Sequence, residues 1–482
     1  MPLGATADAH FTLAPNPTPN QGMPLLLSNQ GRSLWLEGCK EISVKEGIIT
    51  CSDEGVLDCQ GDDLRSAYYA AMTSYFPFNG GMPAKELFNA PIFNTWIELT
   101  FDQNQDDILW YAHNIIKNGF EPGVLMIDDG WAESYGNWRF HTGRFPNPAA
   151  MLKELHDMGF KVMLWICPYV TADTEVYRQA REQNLLLKNS AGVPFIVNWW
   201  NGFSTGLDLS DPDACEWLRA QLNELMALGV DGFKFDGGDA LHYEGDCRSA
   251  CGVSSNELCR LWSVFGEAYP LNEYRATWRA GGRPLMQRLC DKEHSWGDTG
   301  LAALIPDTLA QGITGHPFCC ADMVGGGEYL NFRENSGKLD GELFVKHSAV
   351  SCLMPAIQFS AAPWRVLTEE QNRTIHAQLQ LRRKYKAELD RILVEAARTG
   401  EPVVRYMEYE FPHQGFETVC DQFMLGCRLL VAPVLEKGAT GRNVSIPQGK
   451  WSYEGKIIES KGETQWISCP KSLVALLKRE NT

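Results

Sequence analysis

The stretch Val230-Asp231-Gly232-Phe233-Lys234-Phe235-Asp236-Gly237-Gly238-Asp239 decides how the rest of the chain is read. Before it, Pro212–Leu228 has the spacing of an amphipathic helix, with Asp211 suited to cap its start and Gly229 to stop it. Val230–Asp236 then reads as a short strand. Lys234 and Asp236 are two apart, so their side chains share one face. If Phe233 and Phe235 pack against helices, Lys234 and Asp236 point the other way. A Lys ammonium beside Asp236 keeps that carboxylate ionised, as a nucleophile requires. Gly237 and Gly238 leave space for a ligand near the backbone. The plainer reading is a buried Lys–Asp pair with only a structural role. Asp239 lies past the strand end and reads as a loop or helix-capping residue, or as a rival nucleophile.

The same alternation of apolar run and helix extends outward in both directions. Strand candidates are Phe93–Leu99, Val124–Asp128, Lys161–Cys167, Val230–Asp236, Glu273–Arg279, His294–Asp298, Gly315–Asp322 and Cys352–Phe359. Helices such as Asp106–Asn118 and Asn147–Met158 fall between them. Eight β/α units predict an α/β fold, a (β/α)₈ barrel, which typically takes roughly 250 residues. The rival is a doubly wound sheet, but no Gly-rich phosphate fingerprint accompanies the units. Thr368–Leu393 reads as a long closing helix. Residues 1–22 read as a loose lead-in, and Leu25 to about Tyr75 as a small β region. After Gly400, short strands return at Arg428–Val434, Arg442–Ile446 and Lys450–Tyr453. The expected domains are an N-terminal β region (1–89), a catalytic barrel (90–395) and a C-terminal β domain (396–482).

In such a barrel, functional residues sit at the C-terminal ends of strands. Those positions hold Asp128 and Asp129, Trp165, Lys234 and Asp236, Arg279, Asp298, Asp322 and Gln358. Ser295-Trp296-Gly297-Asp298 has two readings: Asp298 caps the next helix, or it is an acid whose pKa is raised beside apolar Trp296. Paired strand-end carboxylates suit glycosidic-bond chemistry. The chain has 15 tryptophans, and Trp131, Trp165, Trp199, Trp200, Trp296 and Trp364 fall at predicted strand ends or loops beside them. That placement favours a sugar cleft over core packing alone.

The net charge of −17 opposes binding to nucleic acid or to an anionic membrane surface. No run approaches the ~18 apolar residues of a membrane span. The N-terminus lacks a signal-peptide pattern, so the 15 cysteines are expected to be reduced thiols in a cytoplasmic protein. Cys247, Cys251 and Cys259, with His242 nearby, match no standard zinc spacing, so no metal is expected.

These segments resemble glycoside hydrolase family 31 from about Ala90 to about Tyr453. Phe233-Lys234-Phe235-Asp236 is similar to the family's nucleophile strand, and Ser295-Trp296-Gly297-Asp298 to its acid/base segment. Ile127-Asp128-Asp129-Gly130-Trp131 resembles the segment whose first Asp binds distal sugar hydroxyls. Trp165, Arg279 and Asp322 match further sugar-binding positions, with Trp199, Trp200 and Gln358 in stretches shared with a branch associated with α-galactosides. Leu429–Thr440 resembles the start of the post-barrel β-sandwich. The resemblance implies a retaining, exo-acting α-glycosidase with Asp236 as nucleophile and Asp298 as acid/base, needing no cofactor and acting on a small oligosaccharide or α-glycoside. Gln358 and Ser360 stand where many family glucosidases place an Arg and a His, which points to α-galactosidase. Gly237-Gly238-Asp239 also departs from the family pattern. α-Glucosidase, α-N-acetylgalactosaminidase, transglycosylase and a silent sugar-binding pseudoenzyme stay open, as does a homo-oligomer.

Overall fold

Eight short parallel strands close into a barrel in chain order: β1 (Ile92–Asn94), β2 (Val124–Ile127), β3 (Lys161–Ile166), β4 (Gly232–Phe235), β5 (Asn272–Tyr274), β6 (Gln287–Arg288), β7 (Cys319–Val324) and β8 (Ala356–Phe359). This computed structural model describes residues 8–13, 21–37, 41–327 and 338–480. Most of the lead-in at 1–22 lies outside them. The chain divides into two compact units: Met23–Met82 with Gly281–Thr482, and Pro83–Ala280, each joined by a short N-terminal piece. Strands β1–β5 belong to the second and β6–β8 to the first.

Buried on both faces, β2 and most of β3 are runs of apolar residues rather than alternations. β2, Val-Leu-Met-Ile, is buried throughout. In β4, Phe233 packs edge-on to Tyr269 (5.1 Å between ring centres), and Phe235 lies against Trp262 of the Ser255–Phe265 helix (5.2 Å) and stacks on Tyr274 (4.9 Å). The two aromatics thus take the helix side of the sheet, which leaves Lys234 on the opposite face. The Pro212–Leu228 helix has the expected ends, with the Asp211 side chain accepting from Asp213 N and Gly229 at φ 121°.

Several expectations change. The first strand stops at Asn94, because Asn94 Oδ1 accepts from Trp96 N (2.7 Å) and turns the chain into the Trp96–Leu99 helix. The sixth strand is Gln287–Arg288, not His294–Asp298. Backbone bonds around that second segment are local, Gly300 N to Gly297 O (2.9 Å) and Leu301 N to Ser295 O (2.9 Å), so it forms a turn rather than a ladder. Thr368–Leu393 is two helices, Glu369–Lys384 and Lys386–Thr399, divided at Tyr385. The N-terminal region is not β throughout. Strands up to Val56–Cys59 give way to the Leu64–Tyr75 helix, capped by Asp63 and burying Leu64, Ala67, Tyr68, Ala71 and Met72 at helical spacing.

After the barrel come a six-stranded antiparallel sheet, including Leu429–Pro433, Gly449–Tyr453 and Val474–Arg479, and the antiparallel pair Gly441–Ser445 and Thr464–Ser468. No described helix is long and apolar enough to cross a membrane. The described cysteines are free thiols, and no metal-holding group of His, Cys, Asp and Glu occurs among the described residues.

Candidate active site

In the Pro83–Ala280 unit, β2, β3, β4 and β5 each deliver polar groups just at or beyond the strand's end. Register explains their meeting: Trp165 on β3 is level with Lys234 on β4, and Ile166 with Phe235. Asp236 follows immediately. Its Oδ1 accepts from Arg275 Nε (2.9 Å) and Gly237 N (2.9 Å), and its Oδ2 from Trp165 Nε1 (3.0 Å). Lys234 Nζ lies 3.7 Å from the same Oδ2 and 2.8 Å from Asp128 Oδ2. Asp128 Oδ2 also accepts from Asn94 Nδ2 (2.8 Å), so β1, β2 and β4 share this node. Arg275 closes a two-pronged pair with Asp239, Nη1 to Oδ1 (2.8 Å) and Nη2 to Oδ2 (2.6 Å). All these charged side chains are buried. Two cations thus interleave with three carboxylates, so buried charges of opposite sign lie beside one another.

Asp239 stands at the start of the short helix Ala240–Tyr243, but its side chain makes no capping bond there. It orients Arg275, and its Oδ2 lies 3.8 Å from His242 Nδ1. That Nδ1 is 2.7 Å from Tyr169 Oη, which also accepts from Gly238 N (2.9 Å). Burial pushes the His242 pKa down. The glycines that follow Asp236 serve the protein's own packing. Gly238 has φ 72°, and a Cβ there would meet Trp262 at 2.5 Å. Gly237 faces Tyr169.

Asp129 turns away from this node. Its Oδ2 accepts from Tyr135 Oη (3.0 Å) and Asn201 Nδ2 (2.7 Å), while its buried Oδ1 has no partner among the described residues. Burial, then the charge of Asp128, raises its pKa to about 7. Asn201 sits at the tip of the hairpin Ile196–Trp199 and Gly202–Gly206. There Trp199 is buried with its indole stacked near that of Trp165 (6.4 Å, 15°). Trp200 is 50% exposed, with Arg275 5.0 Å from its ring centre and His242 edge-on to it. Trp131, at 0% exposure, offers no ligand-facing surface. It packs on Trp138 and Phe140 and donates Nε1 to Trp165 O (2.7 Å), bracing Trp165 from behind.

Arg279 lies beyond the end of β5. It follows the Thr277–Trp278 strand, which pairs with Gln21–Gly22 outside the barrel, and its N bonds Gly22 O (2.8 Å). The sequence pattern predicts a fifth strand ending at Arg279. The barrel strand ends at Tyr274, so Arg275 is the residue just beyond the strand's end.

In the other unit, Asp322 lies within β7 at φ 69°, where the register with β8 shifts. Arg288 Nη1 on β6 donates to its Oδ1 (2.6 Å) and Lys292 N to its Oδ2 (2.8 Å). Burial raises its pKa to about 6 against the opposing pull of Arg288. Gln358 is buried on β8, level with Met323, and Trp364 lies on the Pro363–Val366 helix that follows. Asp298 is exposed on its turn, so the apolar seclusion expected beside Trp296 is not present, and it caps no helix. Trp296 Nε1 donates to Asp340 Oδ2 (3.1 Å). Lys437 donates to the same oxygen (2.7 Å), and these bonds hold the Asp340 pKa down at about 2 despite partial burial.

The comparisons with known proteins agree with this architecture. The Glycosyl hydrolases family 31 TIM-barrel domain matches residues 91–385, and the Glycosyl hydrolase family 31 C-terminal domain matches residues 400–482. The chain belongs to glycosyl hydrolase family 31. It is 34% identical over 416 residues to the myogenesis-regulating glycosidase of Mus musculus, covering 83% of this chain and 57% of that protein. It is 22% identical over 490 residues to alpha-xylosidase XylQ of Lactiplantibacillus pentosus, covering 93% and 61%. The chain thus spans somewhat more than half the length of these curated relatives. In fold it is similar to a GH31 dextranase of Flavobacterium johnsoniae complexed with glucose, with a TM-score of 0.84, 19% identity, and coverage of 100% of this chain and 65% of that one.

Proposed function

We propose that this chain is the catalytic part of a retaining, exo-acting α-glycosidase that releases a terminal α-linked hexose, galactose in the first place. The observation that carries this is the fourfold setting of Asp236, between Arg275, Gly237 N, Trp165 Nε1 and Lys234. A buried carboxylate beside two cations and fixed in orientation suits attack on an anomeric carbon.

In the first step an Asp236 oxygen bonds to that carbon as the glycosidic C–O bond breaks, and Asp298 gives its proton to the departing oxygen. In the second, Asp298 takes a proton from water, whose oxygen displaces Asp236 and restores the α configuration. Asp298 carries this role through the likeness of Ser295-Trp296-Gly297-Asp298 to the family's acid/base segment. Asp128, braced by Lys234 and Asn94, suits hydroxyls distant from the scissile bond, and Trp200 offers an aromatic face. Gln358 and Ser360, in place of the Arg and His of many family glucosidases, support galactose over glucose. The small oligosaccharide or α-glycoside substrate follows from the same reading.

A panel of aryl α-glycosides, followed by NMR of the first-formed product, tests it. Turnover of the α-galactoside with α-galactose appearing first is expected. Wild-type turnover by Asp236→Asn, or β-product first, overturns it.

A further inference from the structure

We propose that Asp340 and Lys437 are positioning residues that aim Asp298, so that a loop of the C-terminal β domain sets the strength of general acid catalysis. The inference rests on the acid/base reading of Asp298 given above.

The Asp298 side chain has no hydrogen bond among the described residues, and its turn is exposed. Its direction therefore depends on how the turn is tethered. Two side-chain tethers of the adjoining segment reach Asp340: Trp296 Nε1 donates to Asp340 Oδ2 (3.1 Å), and His294 Nε2 accepts from Asp340 N (3.0 Å). The other His294 nitrogen, Nδ1, donates to Gly325 O (2.8 Å), which settles the tautomer.

Asp340 is itself fixed from two sides. Its Oδ1 caps the Gly341–Ser351 helix by accepting from Glu342 N (3.1 Å) and Leu343 N (3.3 Å). Its Oδ2 is shared between Trp296 and Lys437 Nζ (2.7 Å), and the same ammonium lies 5.5 Å from the Trp296 ring centre. Lys437 thus grips the indole by charge on its face and through the carboxylate at its edge.

The loop carrying Lys437 is clamped to the same helix. Buried Lys346 donates to Glu436 O (2.5 Å) and Ala439 O (2.8 Å), and Gly438 N donates to Glu342 Oε1 (2.5 Å). Lys437 is 63% exposed in its side chain, so fold stability gives little reason for an ammonium there. Its placement over Trp296 does.

General acid catalysis matters most where the leaving group is a poor one. The experiment compares wild type, Lys437→Ala, Lys437→Arg, Asp340→Asn and Asp298→Ala on aryl α-glycosides of the accepted sugar, from dinitrophenyl to unsubstituted phenyl. Asparagine still caps a helix, so Asp340→Asn keeps that bond, while its amide nitrogen, a donor only, replaces the oxygen that accepts from Trp296 and Lys437. Asp298→Ala should lose about 100-fold or more on the phenyl glycoside and little on the dinitrophenyl one. Lys437→Ala and Asp340→Asn should show the same split at about 10-fold, with Lys437→Arg close to wild type. If Asp298→Ala splits the series while Lys437→Ala and Asp340→Asn lose the same factor on every leaving group, or nothing, the positioning role is overturned. If Asp298→Ala shows no split, the acid/base assignment falls and this inference with it.

Discussion

Arg275 donates its Nε hydrogen to Asp236 Oδ1 at 2.9 Å while its two terminal nitrogens grip Asp239. One planar guanidinium therefore orients two buried carboxylates at once. Lysine offers a point charge and no fork. Arg275→Lys should reduce kcat at least about 100-fold with a smaller change in KM, measured by steady-state kinetics on an aryl glycoside. Arg275→Ala leaves Asp239 without its two-pronged partner and Asp236 with Lys234 alone, and should destabilise the fold by about 3–5 kcal/mol in urea unfolding.

Trp165 reaches Asp236 Oδ2 through its indole N–H at 3.0 Å. Trp165→Phe keeps most of the ring and removes the donor. A hydrogen bond to a charged group contributes about 1.5–3 kcal/mol, so kcat/KM should fall roughly 10- to 150-fold with the melting temperature little changed. An unaltered kcat/KM would show that this bond does not orient the attacking carboxylate.

Asp129 has its pKa raised to about 7 by burial and by Asp128. The folded protein therefore binds this proton more tightly than the unfolded chain, whose Asp titrates near 3.9. Its contribution to stability is present in full below about pH 4 and is lost as pH rises through about 7. Asp129→Asn keeps an oxygen for Tyr135 and Asn201 and removes the titration. Unfolding curves at pH 4.5 and 7.5 should show the wild type losing stability relative to the variant as pH rises. Parallel pH profiles would contradict this.

Trp200 is half exposed beside Arg275 and His242. Trp200→Ala should raise KM by roughly 2- to 10-fold, the worth of one aromatic contact, while kcat changes less. A collapse of kcat with KM constant would instead make it part of the transition-state machinery through Arg275.

Much of the fold is legible in the chain's local patterns. Pro212–Leu228, with Asp211 and Gly229 at its ends, is called by helical spacing and caps alone. The helix-facing Phe233 and Phe235 follow from strand alternation, and so does the shared face of Lys234 and Asp236. Where the pattern is too short to have a period, reading fails. β6 is two residues, Gln287–Arg288, and the His294–Asp298 segment nearby resembles a strand more closely. Overlong assignments of β1 and β5 have the same origin. A side-chain bond from Asn94 ends one, and the β5 run continues into a strand that pairs elsewhere.

The sequence by itself determined the class of fold, the family, and which carboxylates belong to motifs. Each of these is written in residues adjacent or a few apart, where spacing and chemistry coincide. Only the tertiary structure decided that Arg275 bonds Asp236, that Asp239 holds the same arginine, and that Trp131 braces Trp165 from within the core. It also decided that Lys437 lies over Trp296, 141 positions away in the chain. Such pairings depend on strand register and on where a long side chain ends in space. A register shift of one residue moves a side chain to the other face, and no local pattern in the sequence records which partner waits there.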